Sequence, residues 1–147
     1  MATIYHQVGI KAALSDVYRA IATPEGVSGW WTRTRGAPER GGDLEFSFDD
    51  ISVKARVTAN EADKYIEWTV GGKQGEWLDT RICFELVALD DQVMVNFQHA
   101  DWREATEMLA HCTTKWAVFL LSLKDYLETG TGKPYPQDTH IYHTVFN

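Results

Sequence analysis

The order of apolar and polar positions predicts one long helix near the end of the chain. Between Glu104 and Gly130 the large apolar residues recur at steps of three and four, which places them on one face of an amphipathic helix. Gly130 stands where a left-handed C-cap favours glycine, and Pro134 prevents continuation. At 1.5 Å per residue such a helix spans about 39 Å. We therefore expect a broad apolar surface beneath it.

Six segments alternate between apolar and polar residues, as strands with one buried face do. The first segment is Thr3–Ile10, and the other five follow one another between Leu44 and His99, separated by turn-forming residues. Successive short connections favour antiparallel hairpins. The sequence thus predicts a six-stranded antiparallel sheet with one apolar face.

Two short helices are predicted between the first and second of these strands. Ser15 is a suitable N-cap for the first helix, and Thr23 followed by Pro24 is typical of the start of the second. The glycine-rich segment Thr32–Gly42 is expected to be a loop.

Composition narrows the class of protein. A chain of 147 residues with 44% hydrophobic and 12% aromatic residues suits one domain with a substantial core. The net charge of -7, without a basic run, disfavours nucleic acid and anionic membranes as partners. No apolar run is long enough for membrane insertion. Cys83 and Cys112 form no metal or disulfide pattern, so we expect free core thiols and a cytoplasmic location.

These elements predict an α+β fold in which the long helix covers the apolar face of the sheet. We assign residues 1–130 to a single domain and residues 131–147 to a tail. Five large apolar side chains lie in that tail, at Tyr135, Ile141, Tyr142, Val145 and Phe146. This is too much apolar surface to leave free, so we expect the tail to pack on the domain or on a neighbouring subunit, and a homodimer is possible.

A long helix laid across a twisted sheet need not fill the space beneath it. The inward positions of the strands and the helix are mainly aromatic, and His6, Thr80 and His99 are polar candidates among them. A concave apolar chamber with a few polar groups is the usual site for a small molecule. The alternative is a solid core in which the aromatic side chains fill the gap.

No motif for a hydrolase, a nucleotide or a cofactor is present, and we expect neither a cofactor nor a metal. His140 and His143 are three residues apart in the tail, but a third metal ligand is lacking. His99, Asp101 and His111 lie near the junction of the last strand and the long helix, where they could form an acid–base pair or an ordinary exposed turn.

Two segments carry a family resemblance, TPEGVSGWWT at Thr23–Thr32 and KWAVFLLSLKDYLETG at Lys115–Gly130. They resemble the activator of heat-shock-protein-90 ATPase homologue 1-like family, within the helix-grip (SRPBCC) superfamily of START domains and polyketide cyclases. The resemblance implies a curved sheet around the long helix, with a cavity that binds hydrophobic molecules in relatives. It adds the paired tryptophans to the candidate cavity, which comprises Trp30, Trp31, Phe46, Phe48, Trp68, Phe84, Phe97, His99, Trp116 and Phe119.

Three hypotheses for the function follow. The first is binding of a small hydrophobic ligand in the cavity, without catalysis. The second is a co-chaperone-like protein-interaction module in stress response or regulation, because Val118 and Leu121 lie off the main helix stripe. The third is a cyclase or hydrolase that uses His6, His99 or Glu85.

Overall fold

The computed structural model describes residues 1–72, 75–142 and 144. It contains an open antiparallel sheet with a long helix across one face, and the predicted α+β architecture is confirmed. The elements in chain order are β1 (Ala2–Ile10), α1 (Leu14–Ala22), α2 (Pro24–Trp30), β2 (Thr34–Gly36), β3 (Asp43–Phe48), β4 (Ile51–Glu61), β5 (Tyr65–Gly71), β6 (Arg81–Ala88), β7 (Val93–Trp102) and α3 (Glu107–Thr129). The strand order is β1-β7-β6-β5-β4-β3-β2, with every neighbouring pair antiparallel.

The sheet in the described part of the chain has seven strands, so the predicted number of six was wrong. The additional strand, β2, lies within the segment that was predicted to be a loop, where Thr34 pairs with Phe46 and Gly36 pairs with Leu44. Three residues are too few to produce a recognisable alternation. Gly36 has a φ of 130°, and a Cβ there would lie 2.1 Å from the carbonyl oxygen of Asp43. The strand therefore depends on glycine, a residue that indicated a loop.

The predicted start of α1 was wrong, whereas that of α2 is confirmed. Helix α1 has Ala13 as its N-cap, without a side-chain hydrogen bond, rather than Ser15. Burial of Val17, Ala20 and Ile21 fixes this helix in place, so it tolerates a weak cap. At α2 the Thr23 hydroxyl accepts a hydrogen bond from the Gly26 amide at 3.0 Å.

Helix α3 is the long helix that the sequence predicts, although it begins three residues later, at Glu107. Thr106 is its N-cap and accepts a hydrogen bond from the Leu109 amide at 3.3 Å. Gly130 has a φ of 87° and ends the helix as expected. The buried residues of this helix are Cys112, Trp116, Phe119, Leu120, Ser122 and Leu123. Among the described residues, no helix is both long enough and apolar enough to cross a membrane.

Candidate functional site

The pleat of the strands directs the predicted cavity residues to one face of the sheet. Phe84 pairs directly with Phe97 across β6 and β7, and Ile82 pairs with both Trp68 and His99, so all of these side chains share the inner face. Helix α3 lies over this face and contributes Trp116. Nine of the ten candidate residues are no more than 5% exposed, and Phe48 is half-buried. The structure therefore brings all ten into one cluster.

Trp31 lies at the centre of this aromatic cluster. It follows α2 directly, and its ring contacts six others, at centroid distances from 4.5 Å for Phe46 to 6.4 Å for Trp77. The Trp116 ring of α3 lies at a centroid distance of 4.8 Å from the Trp31 ring, and the Trp68 ring is stacked on Trp31 at 6.1 Å. Aromatic rings at these separations are in contact with one another. Side chains of the protein itself thus occupy the space between the sheet and α3.

His99 is the polar group at the edge of the aromatic cluster, and its ring is held in one protonation state. The Trp116 indole donates a hydrogen bond to Nδ1 at 3.0 Å, and Nε2 lies 2.8 Å from the Thr80 hydroxyl. Because Thr80 donates its own proton to the carbonyl oxygen of Trp77, it accepts from Nε2. An indole can only donate, so Nδ1 carries no proton. Burial lowers the pKa of His99 to about 3 and favours the same neutral form.

Three of the other predicted acid–base residues have hydrogen-bond or ion-pair partners other than His99. His6 also faces inward, and its Nε2 donates to the carbonyl oxygen of Thr113 at 2.9 Å. Glu85 lies on the outer face of the sheet, where it accepts a hydrogen bond from Asn96 at 3.0 Å. Asp101 forms an ion pair with Arg81 at 2.6 Å. Of the three groups named for a hydrolase or cyclase, His6 and His99 therefore face inward with separate partners, whereas Glu85 faces outward.

Two tryptophans join the aromatic cluster that the sequence analysis did not include. Trp77 is half-buried and stacks on Trp116 at 6.1 Å, with the His99 ring edge-on at 4.7 Å. Trp102 is 1% exposed and lies 4.9 Å from His99, and its indole N–H has no hydrogen-bond partner among the described residues. Trp77 follows a glycine-rich interruption without periodicity, so alternation could not assign it to the core.

Two surface depressions lie away from this interior. One is formed by residues 11–14 and 88–93 at one end of the sheet, and the other crosses β1, β7 and β6 at residues 5–7, 85 and 96–98. In the part of the chain that the structure describes, no three His, Cys, Asp or Glu side chains are grouped as a metal site requires. His143, half of the histidine pair in the tail, lies outside the described residues.

Comparison with known proteins places this geometry in a family. The sequence profile of the Activator of Hsp90 ATPase homolog 1-like protein matches residues 11–128. The chain belongs to this family. A comparison with curated proteins gives no match.

Solved structures agree with this assignment. The Aha1 dimer from Colwellia psychrerythraea is 41% identical, and the match covers 90% of this chain and all of that one with a TM-score of 0.84. A Staphylococcus saprophyticus protein is 19% identical over 89% of this chain and 95% of its own, with a TM-score of 0.74. CalU16 from Micromonospora echinospora is 17% identical over 97% of this chain and 75% of its own, with a TM-score of 0.79. The last two matches support the fold alone.

This member of the activator of Hsp90 ATPase homologue 1-like family also carries a polar cluster on the outer face of its sheet. The Glu67 carboxylate accepts hydrogen bonds from Thr58 at 2.6 Å and from Tyr65 at 2.8 Å, and it pairs with Arg81 at 3.1 Å. Partial burial alone would raise the pKa of Glu67, but these donors outweigh it and lower the pKa. Cys83 lies beneath this cluster, and burial raises the pKa of its thiol. The cluster thus stabilises an ionised carboxylate and a neutral thiol.

The tail returns along α3 from the C-terminal end of the helix towards its N-terminus. The amide of Lys133 donates to Ser122, the ammonium of Lys115 pairs with Asp138, and the hydroxyl of Thr144 donates to Glu107. The order of the helix partners, 122, 115 and 107, defines an antiparallel course. Val145 and Phe146, which were among the apolar residues that predicted packing of the tail, lie outside the described residues.

Proposed function

We propose that this chain is a protein-interaction module that assembles as a homodimer. The observation that carries the proposal is the contact of the Trp31 ring with six other aromatic rings, because it favours a filled core over the predicted cavity. Small-molecule sites are usually preformed concave spaces. Recognition by a filled domain takes place on its outer surface.

Exposed apolar residues on that surface support self-association. Leu121 is 56% exposed on the outer side of α3, next to the half-buried Val118 three residues earlier. Tyr5 is 68% exposed on β1, an edge strand of the sheet. The similar Colwellia psychrerythraea protein is described as a dimer. A two-fold interface would bury the same residues of both copies.

Sedimentation velocity over a range of concentrations tests this proposal. We expect a concentration-dependent dimer, and we expect Leu121→Glu to weaken it by at least roughly tenfold, because it places a charge at a leucine that the proposed interface would bury. Ile51→Glu is the matched control, since Ile51 is 66% exposed at the first residue of β4. A wild-type chain that stays monomeric at every concentration would refute the homodimer.

The family assignment makes an Hsp90-type chaperone the first external partner to test. Adding the purified chain to such a chaperone should increase its ATPase rate if the module is co-chaperone-like. An unchanged rate would remove the chaperone from the proposal and leave self-association to be decided by sedimentation.

A second candidate function is binding of a flat hydrophobic molecule beneath Trp77. The unpartnered, buried indole N–H of Trp102 favours it, because such a donor suits an acceptor atom on a ligand. A ligand would take the place of the half-buried Trp77 ring beside His99. Titration with an environment-sensitive apolar dye should give saturable binding that Trp77→Ala strengthens and Trp116→Ala alters. Absence of binding to folded wild-type and Trp77→Ala proteins would refute this candidate.

A further inference from the structure

The tail begins with a close approach that only glycine permits. A Cβ at Gly132 would lie 2.4 Å from the carbonyl oxygen of Gly29 and 3.0 Å from the Ser122 hydroxyl. The next amide, that of Lys133, donates to this hydroxyl at 2.7 Å, and the hydroxyl donates in turn to the carbonyl oxygen of Trp30 at 2.8 Å. Ser122 is 4% exposed. The tail therefore enters a fitted groove between α2 and α3.

Tyr135 is the second anchor of the tail. Its amide donates to the carbonyl oxygen of Trp31 at 2.7 Å, and its ring meets Phe48 edge-on at a centroid distance of 5.2 Å. Its hydroxyl donates to the carboxylate of Asp49. Backbone, ring and hydroxyl are thus all recognised, which makes the groove selective for tyrosine at this position.

Asp138 is the third anchor. Its side chain is only 6% exposed and pairs with the ammonium of Lys115, which is 20% exposed. The same ammonium donates to the carbonyl oxygen of Thr139 at 2.9 Å and lies 5.2 Å from the centre of the Phe119 ring. A carboxylate with so little access to water needs this partner. Charge therefore selects the residue three positions after the tyrosine.

The three anchors form the spacing Gly-x-x-Tyr-x-x-Asp, and every group that receives them lies within the first 122 residues. The receiving groups belong to α2 and the residue after it, to the end of β3 and the turn that follows, and to α3. The segment itself follows the part of the chain that matches the family. The link between α3 and the first anchor is only residues 130–131. The recognition resembles that of a separate peptide in a groove.

We propose that this groove accepts the Gly-x-x-Tyr-x-x-Asp segment of a second copy of the chain, so that two copies exchange tails. The inference rests on the proposed homodimer and names contacts that would hold it. An exchanged tail makes the same hydrogen bonds and the same ion pair as a tail docked on its own domain. Exchange of an identical element is for this reason an accessible route to a dimer. The ion pair permits a direct test, because it can be reversed in one copy at a time.

The experiment uses two full-length variants, Lys115→Glu and Asp138→Lys. In each variant alone the tail meets a like charge in its own groove, so hydrogen exchange at the Lys133 and Tyr135 amides should become roughly tenfold to a hundredfold faster. In a 1:1 mixture, the groove of each variant matches the tail of the other. We expect a heterodimer by sedimentation, with exchange at both amides slowed again. The double variant should slow exchange within a single chain.

Matched controls separate charge from position. Lys124→Glu and Asp125→Lys make the same two changes of charge, but both on α3, and their mixture should form no additional dimer. Circular dichroism verifies that each variant is folded. A mixture that remains two monomers with fast exchange, while the double variant regains protection, would overturn tail exchange. Fast exchange in the double variant would overturn it as well, because charge pairing would not then direct docking.

The same data separate the two proposals. If the wild-type chain is a dimer but the mixture of Lys115→Glu and Asp138→Lys forms no heterodimer, the homodimer stands and tail exchange is rejected. If the wild-type chain is a monomer but the mixture forms a heterodimer, the wild-type homodimer is rejected. The ability of the groove to accept the tail of another copy is then supported.

Discussion

Mild acid should destabilise this protein through His99. The neutral ring accepts a hydrogen bond from Trp116 at Nδ1, and a proton at that nitrogen would replace the acceptor with a second donor. Burial lowers the pKa of His99 in the folded state to about 3, from an ordinary value of 6.5. The unfolded chain therefore binds this proton first as the pH falls. The contribution of the neutral His99 ring to the free energy of unfolding is fully present above pH 6.5. It is lost as the pH falls from 6.5 to about 3.

The magnitude follows from the difference between the two pKa values. Within that window each pH unit removes about 1.4 kcal/mol of the free energy of unfolding. Between about pH 7.5 and pH 5 the expected loss is therefore about 2 kcal/mol. Carboxylates whose pKa is lowered in the folded state, such as Glu67, act in the same direction but only as the pH falls below their ordinary value of 4.5. The interval above about pH 5 thus isolates the histidine contribution.

Urea unfolding followed by tryptophan fluorescence measures this loss, since Trp31, Trp68 and Trp116 report on the core that surrounds the ring. His99→Gln should lower stability at neutral pH but remove most of the pH dependence, because an amide can accept and donate without titrating. His140→Gln, at an exposed residue, is the control and should keep the wild-type slope. An unchanged free energy of unfolding between about pH 7.5 and pH 5, or an undiminished slope in His99→Gln, would refute the assignment.

Three further predictions concern packing, the tail and the thiols. Trp31→Ala should cost about 3–5 kcal/mol in urea unfolding, and a cost under about 1 kcal/mol would contradict its central position. Gly132→Ala should speed hydrogen exchange at the Tyr135 amide; unaltered exchange would contradict the close approach to Gly29. Iodoacetamide should alkylate Cys112 roughly a hundredfold more slowly in the native protein than in urea, because burial raises its pKa to about 11 from 9.0. Equal rates would contradict this burial.

The sequence predicted the elements whose side-chain pattern is long. Helix α3 combines a stripe of large apolar residues with a glycine C-cap. The apolar periodicity and the capping glycine therefore predict the same end of the helix. Strand β2 has three residues and includes Gly36, whose conformation is required by contact with β3, so its pairing could not be inferred locally. The start of α1 was misplaced for a related reason, since tertiary burial at Val17 outweighs the preference for a capping serine.

Most members of the aromatic cluster could be predicted from the sequence, but Trp77, Trp102 and the packing of the rings could not. Alternation along a strand gives the direction of a side chain and not its distance from residues on another element. Trp31 directly follows α2, and only the folded chain shows that its ring lies 4.5 Å from Phe46. The pairing of Asp138 with Lys115 could not be predicted from the sequence either, because it joins an irregular tail to a helix.

The tail and the core are connected through the end of α2. The last carbonyl groups of a helix lack partners within the helix and need others when they are buried. Here the carbonyl of Trp30 accepts from Ser122 and that of Trp31 accepts from the Tyr135 amide. The rings of these two tryptophans fill the core while their backbones hold the tail. Release of the tail would leave the Trp31 carbonyl without this partner, so a copy that gives up its own tail is stabilised by accepting another.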